Sequence, residues 1–105
     1  MSPPEPLAVN ASPPIEAGPL AVDEDAYLAV LDGRRLQLTH KEFQLLALLV
    51  RYRGRVLRRD QIALRVWGGA APGRTIDIHV SRLRRQLPPG AIRTVIRVGY
   101  RLELS

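Results

Sequence analysis

The chain contains no cysteine, only five aromatic residues and no long apolar run. The absence of cysteine excludes a disulfide framework, a thiolate metal site and a cysteine nucleophile. The longest apolar run, Leu45 to Val50, is far short of the roughly 20 residues that a membrane-spanning helix needs. The N-terminus also lacks the basic region and apolar stretch of a signal peptide. We therefore expect no membrane partner.

Residues suited to catalysis or metal binding are also sparse. The two histidines, His40 and His79, lie in different predicted helices with no paired carboxylates nearby, so no metal site is expected. Asp60 and Asp77 do not have the spacing of a general acid and its base. We expect neither a cofactor nor an enzymatic activity. His79 is interpreted as a packed or hydrogen-bonded histidine, and Trp67 as a core residue.

Basic residues are missing from the N-terminus and abundant elsewhere. The first 25 of the 105 residues hold five acidic residues and no basic one, a net charge of −5. The remaining residues hold all 16 basic residues and five acidic ones, a net charge of +11. This charge favours a polyanionic partner, and nucleic acid is the leading candidate. Fifteen of the bases are arginine, which can pair bidentately with phosphate or guanine.

Proline is concentrated at one end of the chain. Residues 1–19 hold six of the nine prolines and no aromatic residue. They are therefore predicted to be a disordered Pro-rich linker or tail. Residues 20–105 are predicted to form a single domain, because this length allows one small hydrophobic core.

Turn and capping signals predict the first half of this domain. Asp32-Gly33 lies between two runs, Tyr27 to Leu31 and Arg34 to Leu38, which predicts an antiparallel β-hairpin. Thr39 and Glu42 have the spacing of a capping box, so a helix follows. That helix is apolar nearly all round, which indicates a central position in the core.

Two further helices and a closing hairpin are predicted in the second half. The predicted elements are a second helix over about residues 59–67, a third over about 75–87, and hairpin strands over 92–96 and 100–104. Gly68-Gly69 ends the second helix, and Pro88-Pro89-Gly90 ends the third. The fold class is therefore α+β. The order of elements predicts a winged helix-turn-helix with an N-terminal antiparallel β-sheet, three helices and a C-terminal β-hairpin wing.

One side of the predicted third helix carries an unusual set of side chains. Opposite its apolar spine lie Ile78, Ser81, Arg82 and Arg85, with Asp77 and Arg84 at one edge. In a DNA major groove, an arginine can read guanine bidentately and an aliphatic side chain can contact a thymine methyl group. A solvated charged helix surface is the alternative interpretation.

The surroundings of the third helix favour the DNA interpretation. Arg74 and Thr75 at its start are placed to hold phosphates together with backbone N–H groups. The second helix would support the third from behind. The closing hairpin would bring arginines beside the DNA backbone or minor groove, and Arg97 is favoured because it lies at the hairpin tip.

Several stretches of the domain match the motifs of one family. They are Leu38-Thr39-His40-Lys41-Glu42-Phe43, Val56-Leu57 before Arg59-Asp60-Gln61, Val66-Trp67-Gly68, Arg74-Thr75-Ile76-Asp77-Ile78-His79-Val80 with its continuation Ser81-Arg82-Leu83-Arg84-Arg85, and Gly99-Tyr100-Arg101-Leu102. Together they resemble the C-terminal effector domain of OmpR/PhoB-type response regulators. The resemblance covers Leu20 to Leu104, nearly the whole predicted domain.

The resemblance implies a function and a role for each site residue. It implies binding to double-stranded promoter DNA and transcription regulation in the cytoplasm, often as tandem head-to-tail copies on direct repeats. The implied contacts are Ile78 and Arg82 to base edges, Arg74, Thr75, Ser81 and Arg84 to phosphates, and Asp77 as a residue that orients neighbouring arginines. We add Arg85 to the phosphate contacts and assign Arg97 to the wing.

The sequence departs from the family pattern at three places. The loop 68–73, which commonly touches RNA polymerase in the family, is shorter than usual. Arg58 replaces the Ser or Thr that usually caps the second helix, a loss of ~1 kcal/mol unless Arg58 serves a phosphate instead. The wing arginine lies one place later than usual and a glycine is missing. The family also joins this domain to a phosphorylatable receiver domain, and residues 1–19 resemble the linker that follows one.

Two other functions are alternatives to DNA binding. One is a protein-interaction winged helix that binds RNA polymerase or a receiver domain and binds DNA weakly. The other is RNA binding, which ranks last because RNA readers usually expose aromatic side chains for base stacking. Most of the five aromatic residues here are expected to pack inside the domain.

Overall fold

The first layer of the fold is a four-stranded antiparallel sheet. The computed structural model describes residues 13–104. The strands of this sheet are β1 (Ile15–Ala17), β2 (Leu20–Asp23), β3 (Leu28–Leu31) and β4 (Arg34–Arg35), in that spatial order. The predicted hairpin is confirmed, because Asp32 and Gly33 have φ of 50° and 80° and let β3 pair with β4. This is the backbone geometry that favours Asp-Gly in a two-residue turn.

Strand β1 lies inside the segment that was predicted to be a tail. Ile15 pairs with Val22 and Ala17 with Leu20, and Ala17 is buried. Gly18, with φ of 57°, makes the tight turn that precedes Pro19. The strand was not predicted because the surrounding prolines are typical of an extended linker. Residues 15–17 of the predicted tail, 1–19, are therefore a paired strand, and residues 1–12 lie outside the described residues.

The central element is helix α1 (His40–Arg51), which begins at the predicted capping box. The Glu42 N–H donates to Thr39 Oγ1 at 3.2 Å, and the Thr39 N–H donates to the Glu42 carboxylate at 3.0 Å. Both bonds satisfy backbone donors that a helix start would otherwise leave free. The helix packs against β1 and against the strand Gly99–Leu102 near the C-terminus, and its side chains form much of the core. The fully buried members include Leu45, Leu46 and Val50.

The second helix starts as α2 (Arg59–Ile62) and continues as a π-helical turn, Ala63–Trp67. It ends at Gly68, whose φ of 76° is the left-handed geometry expected from the predicted Gly-Gly stop. Lys41 of α1 donates from Nζ to the Val66 carbonyl at 2.8 Å. Trp67 is half-buried beside the core, so the prediction that it is a core residue holds only in part.

Helix α3 (Thr75–Arg84) is three residues shorter than the predicted span of 75–87. Beyond Arg84 the chain tightens into i to i+3 hydrogen bonds, of which the Gln86 N–H to Leu83 carbonyl bond is 3.0 Å long. The Gln86 side chain also bonds to both backbone groups of Gln37, at 2.9 and 2.6 Å. The end of the helix is therefore set by these contacts as well as by the prolines that follow.

The closing hairpin consists of β6 (Ile92–Val95) and β7 (Gly99–Leu102), and β7 also pairs with the short strand β5 (Leu57–Arg58). The hairpin strands are shorter than predicted, so residues 96–98 form the tip. The Val98 N–H donates to the Val95 carbonyl at 2.9 Å across this turn. The predicted α+β winged-helix arrangement of an N-terminal sheet, three helices and a C-terminal hairpin is confirmed.

Arg58 precedes α2 as its N-cap residue, with no side-chain capping bond of its own. Part of the missing cap is supplied by Gln61, whose side chain accepts from the Arg58 N–H at 2.9 Å. We expect Arg58→Thr to raise the free energy of unfolding by about 0.5–1 kcal/mol, because a threonine hydroxyl is an N-cap acceptor that an arginine side chain cannot supply. Urea unfolding followed by circular dichroism measures this change.

The matched control is Arg58→Ala, which removes the exposed Arg58–Asp60 ion pair without adding a cap. An exposed pair contributes little to stability. Equal stability of the threonine and alanine variants would show that Gln61 already satisfies this helix start.

Candidate nucleic-acid interface

The solvent-facing side of α3 has the composition that the helical pattern predicts. Ile76, Val80 and Leu83 are buried and hold the helix against the core. The opposite side exposes four side chains: Ile78, Ser81, Arg82 and Arg85. Ile78 is 45% exposed, which is unusual for an isoleucine surrounded by cations. The result is a positively charged surface with one aliphatic group at its centre.

Three cations of this surface have neither a side-chain hydrogen bond nor an ion pair within the described residues. Within residues 13–104, Arg74, Arg82 and Arg85 make no side-chain hydrogen bond and no ion pair. Other arginines of the domain are paired, including Arg51 with Glu24 and Arg101 with Glu103. Unpaired arginines on one helix surface can donate to an external anion without first breaking an internal bond.

Thr75 at the start of α3 already has a hydrogen-bond partner. Its hydroxyl donates to the Pro72 carbonyl at 2.6 Å, and its N–H donates to the same oxygen at 3.0 Å. The hydroxyl would have to turn away from Pro72 before it could donate to a phosphate. Arg74 just before it is the N-cap residue and is exposed, and its charge contributes to the lowered pKa of the Asp77 carboxyl.

Arg84 connects α3 to the wing, which was not predicted. Its guanidinium donates to the Ile92 carbonyl at 2.9 Å and to Thr94 Oγ1 at 2.8 Å. Both partners belong to β6. Arg84 therefore fixes the hairpin beside the helix, while its remaining donor capacity faces solvent. The sequence placed Arg84 at one edge of the third helix and the hairpin directly after that helix, which is the only indication of this contact.

Asp77 lies at the centre of a three-residue network joining α2, α3 and the wing. It accepts from the Arg59 guanidinium at 2.5 Å and from the Tyr100 hydroxyl. The predicted role of Asp77 was to orient neighbouring arginines. Its arginine partner is Arg59 at the start of α2, which the sequence analysis did not include in the site.

This network shifts the pKa of each of its members. The hydrogen bond from Tyr100, followed by the one from Arg59, holds the pKa of the Asp77 carboxyl below its usual value. Burial and then the Asp77 carboxylate raise the pKa of the Tyr100 hydroxyl. The bond to Asp77 raises the pKa of the Arg59 guanidinium. The cluster therefore stays ionised as Asp77 carboxylate and Arg59 cation across the physiological range.

Tyr100 also packs between two guanidinium groups. The Cζ atoms of Arg59 and Arg84 lie 5.2 and 5.7 Å from its ring centroid, within the range of cation–π attraction. Tyr100 is 4% exposed. The prediction from sequence was only that most aromatic residues pack inside the domain. Its hydroxyl and ring together join the wing to both α2 and α3.

His79 is confirmed as a hydrogen-bonded residue. Its Nδ1–H donates to the Thr75 carbonyl at 2.8 Å, and its ring packs against the Trp67 ring at a centroid distance of 5.1 Å.

Among the described residues no group of three His, Cys, Asp or Glu side chains could hold a metal ion. No helix within residues 13–104 is both long and apolar enough to span a membrane.

The hairpin lies alongside α3. Arg84 near the end of α3 donates to Ile92 and Thr94 of β6, and Asp77 in the first turn of α3 accepts from Tyr100, which pairs with Thr94 across the hairpin. Arg97 is exposed at the tip, with φ of 66° and no ion pair within the described part of the chain. The hairpin that carries this cation is therefore held against α3 by the bonds of Arg84 and Asp77.

We expect Tyr100→Phe to raise the pKa of Asp77 toward its ordinary value, because the hydroxyl donor is lost. A carboxyl whose pKa is lowered by folding contributes stability that is present above its unfolded pKa and is lost as the pH falls through the folded pKa. The variant should therefore be less stable at pH 7 and should lose less stability below pH ~4 than the parent.

Thermal unfolding from pH 2 to 7, with NMR titration of the Asp77 carboxyl, measures both effects. Tyr52→Phe is the matched control, because no hydrogen bond of the Tyr52 hydroxyl occurs within the described residues. An unchanged Asp77 titration in Tyr100→Phe would contradict the proposed pairing.

Curated proteins with similar sequences are bacterial regulators. The chain is 41% identical over 90 residues to the regulatory protein VanRB of Enterococcus faecalis, covering 84% of this chain and 41% of that protein. It is 41% identical over 96 residues to the sensory transduction protein RegX3 of Mycolicibacterium smegmatis, covering 85% and 42%. The chain thus spans about two fifths of the length of these relatives.

Solved structures agree with these sequence matches. The DNA-binding domain of CpxR from E. coli superposes with a TM-score of 0.79 at 35% identity, covering 87% of this chain and 96% of that one. The Klebsiella pneumoniae RstA DNA-binding domain, in complex with the RstA box, also gives 0.79, at 28% identity and coverage of 87% and 97%. A family model described as "Transcriptional regulatory protein, C terminal" matches residues 33–102. The chain therefore belongs to the C-terminal domain family of transcriptional regulatory proteins, as the OmpR/PhoB-type motifs indicated.

Proposed function

We propose that this chain binds double-stranded DNA sequence-specifically and thereby regulates transcription. Helix α3 lies in the major groove in this proposal, and the β6–β7 hairpin acts as the wing. The observation that carries it is the set of unpaired arginines around the exposed Ile78 on α3. The similar RstA DNA-binding domain was solved in complex with the RstA box, which supports DNA binding by this chain.

The proposed contacts follow from the position of each side chain on α3. Ile78 and Arg82 occupy the exposed centre of the helix, where side chains reach base edges when a helix enters the groove. The proposed phosphate contacts lie around them: Arg74, Thr75, Ser81, Arg84 and Arg85. Asp77 holds Arg59 and Tyr100 in place behind this surface, and Arg97 extends the contact from the wing.

Because the relatives are longer, we propose that the chain is the effector part of a two-component response regulator. Its partner is promoter DNA, and the implied arrangement is a tandem pair on direct repeats. RNA polymerase is the proposed protein partner, and the cytoplasm the proposed location. No enzymatic activity is expected, since the matching family is described as transcriptional regulatory proteins.

Selection of bound sites from random duplex DNA tests this proposal. We expect enrichment of one motif, and we expect affinity for that motif to fall with rising salt, because arginine–phosphate contacts release counterions. Equal affinity for every duplex would overturn sequence-specific binding and would favour the protein-interaction function instead. Preferential binding of single-stranded RNA would overturn the proposal altogether.

A further inference from the structure

The tip of the wing carries apolar side chains that the contacts proposed above leave unused. Ile96 is 78% exposed and Val98 39% exposed, on either side of Arg97. Among the large hydrophobic residues exposed in the described part of the chain, Ile96 is the most exposed. An exposed aliphatic residue alone needs no explanation, but here two of them flank an unpaired cation at the hairpin tip.

The backbone of this tip is held rigidly. The Arg59 N–H donates to the Val98 carbonyl at 3.3 Å, and the Val98 N–H donates to the Val95 carbonyl at 2.9 Å. Arg97 has φ of 66°, a left-handed conformation that residues other than glycine rarely adopt. A left-handed residue is usual in a three-residue hairpin turn, and together with these two hydrogen bonds it fixes the positions of Ile96 and Arg97 at the tip.

The charge around the tip indicates its partner. Residues 92–102 contain three arginines and no acidic residue. Arg93 and Arg101 both pair with Glu103 near the base, whereas Arg97 at the tip has no ion pair within the described residues. An arginine between two aliphatic groups is complementary to a DNA minor groove, which combines negative potential with apolar sugar walls and base stacks.

We propose that Ile96 is a minor-groove wedge that inserts at a flexible base step and bends the bound DNA. This inference rests on the proposed function, because it needs α3 to occupy the neighbouring major groove. Arg97 then supplies the electrostatic attraction and Ile96 the apolar insertion. Pyrimidine–purine steps unstack most easily, so the bend is expected at such a step beside the α3 site. Apolar wedges of this kind kink a duplex by roughly 20–90°.

The test uses the 105-residue chain and a duplex of about 30 base pairs that contains the selected site. Fluorophores at the two ends report the bend by energy transfer, and binding is titrated on the same samples. We expect Ile96→Ala to remove at least half of the bend and to weaken binding about tenfold, whereas Ile96→Leu keeps both. Ile96→Thr, which keeps the β-branched shape in the turn, is expected to lose the bend as well.

Leu64→Ala is the matched control, since Leu64 is 61% exposed on the second helix, outside the proposed interface. It should leave both the bend and the affinity unchanged. Thermal unfolding of every variant confirms that the hairpin is intact. Arg97→Ala should weaken binding and reduce the salt dependence, which separates its electrostatic role from the insertion by Ile96.

The outcomes separate the two proposals. If the parent selects a DNA motif but Ile96→Ala bends that site as the parent does, the wedge is overturned and the proposed function stands. A loss of affinity with an unchanged bend also overturns the wedge, because Ile96 would then only touch the groove wall. If the parent selects no motif at all, the proposed function itself fails.

Discussion

Gly99→Ala is expected to destabilise the domain by more than about 3 kcal/mol. Gly99 lies in β7 directly against β5, where it pairs with Arg58. A Cβ atom at this position would collide with the Leu57 carbonyl oxygen and would lie 2.8 Å from the Leu57 carbonyl carbon and 2.9 Å from Arg58 Cα. These are backbone atoms, so no side chain can move aside, and β5 and β7 would have to separate.

The loss should extend beyond the strand pair. Separation of β5 from β7 shifts Tyr100, and with it the hydroxyl that donates to Asp77 and the ring between Arg59 and Arg84. Since a small domain has a total stability of only 5–15 kcal/mol, we expect an unfolding midpoint far below that of the parent and a loss of DNA binding.

Urea unfolding of Gly99→Ala measures this effect, and Gly69→Ala is the matched control. Gly69 has no positive φ, and an added Cβ there meets nothing within 4 Å. The control should therefore stay within ~0.5 kcal/mol of the parent. If Gly99→Ala unfolds at the urea concentration of the parent, the close approach of β5 and β7 is wrong.

Elements with strong local signals could be predicted from the sequence. Asp32-Gly33 and the Thr39–Glu42 capping box each specify a backbone geometry within four residues, and both lie where they were predicted. Boundaries set by tertiary contacts could not be predicted in the same way. The end of α3 depends on Gln86 bonding to Gln37, 49 residues away, and β1 exists because β2 pairs with it.

In the candidate site too, residues placed by local periodicity could be predicted, and contacts between distant elements could not. The exposed surface of α3 follows from helical periodicity alone, so Ile78, Ser81, Arg82 and Arg85 were found on the correct side. In the Asp77–Arg59–Tyr100 network, Arg59 lies 18 residues before Asp77 and Tyr100 lies 23 residues after it. No local sequence pattern predicts that these three side chains come into contact. The roles of the site residues toward DNA stay predictions, which the arginine variants below can test.

Arg82→Ala is expected to weaken binding to the selected site by about 1–3 kcal/mol and to relax specificity at one base position. Arg82 is exposed on α3, has no partner within residues 13–104, and projects from the same surface as Ile78. A guanidinium that reads a guanine loses two hydrogen bonds on truncation, whereas unrelated duplexes lose only a nonspecific cation. Anisotropy titrations against the selected site and single-base variants measure this difference.

Arg85→Ala is the appropriate comparison, because Arg85 is also exposed and unpaired but lies beyond the end of α3 as its C-cap residue. A phosphate contact should weaken all sequences alike and lower the salt slope by about one. Arg84→Ala is expected to lose the phosphate contact and also the hydrogen bonds from Arg84 to Ile92 and Thr94 of the wing. It should therefore weaken DNA binding more than Arg85→Ala does. If Arg82→Ala and Arg85→Ala each bind selected and scrambled duplexes as the parent does, α3 is not the recognition helix.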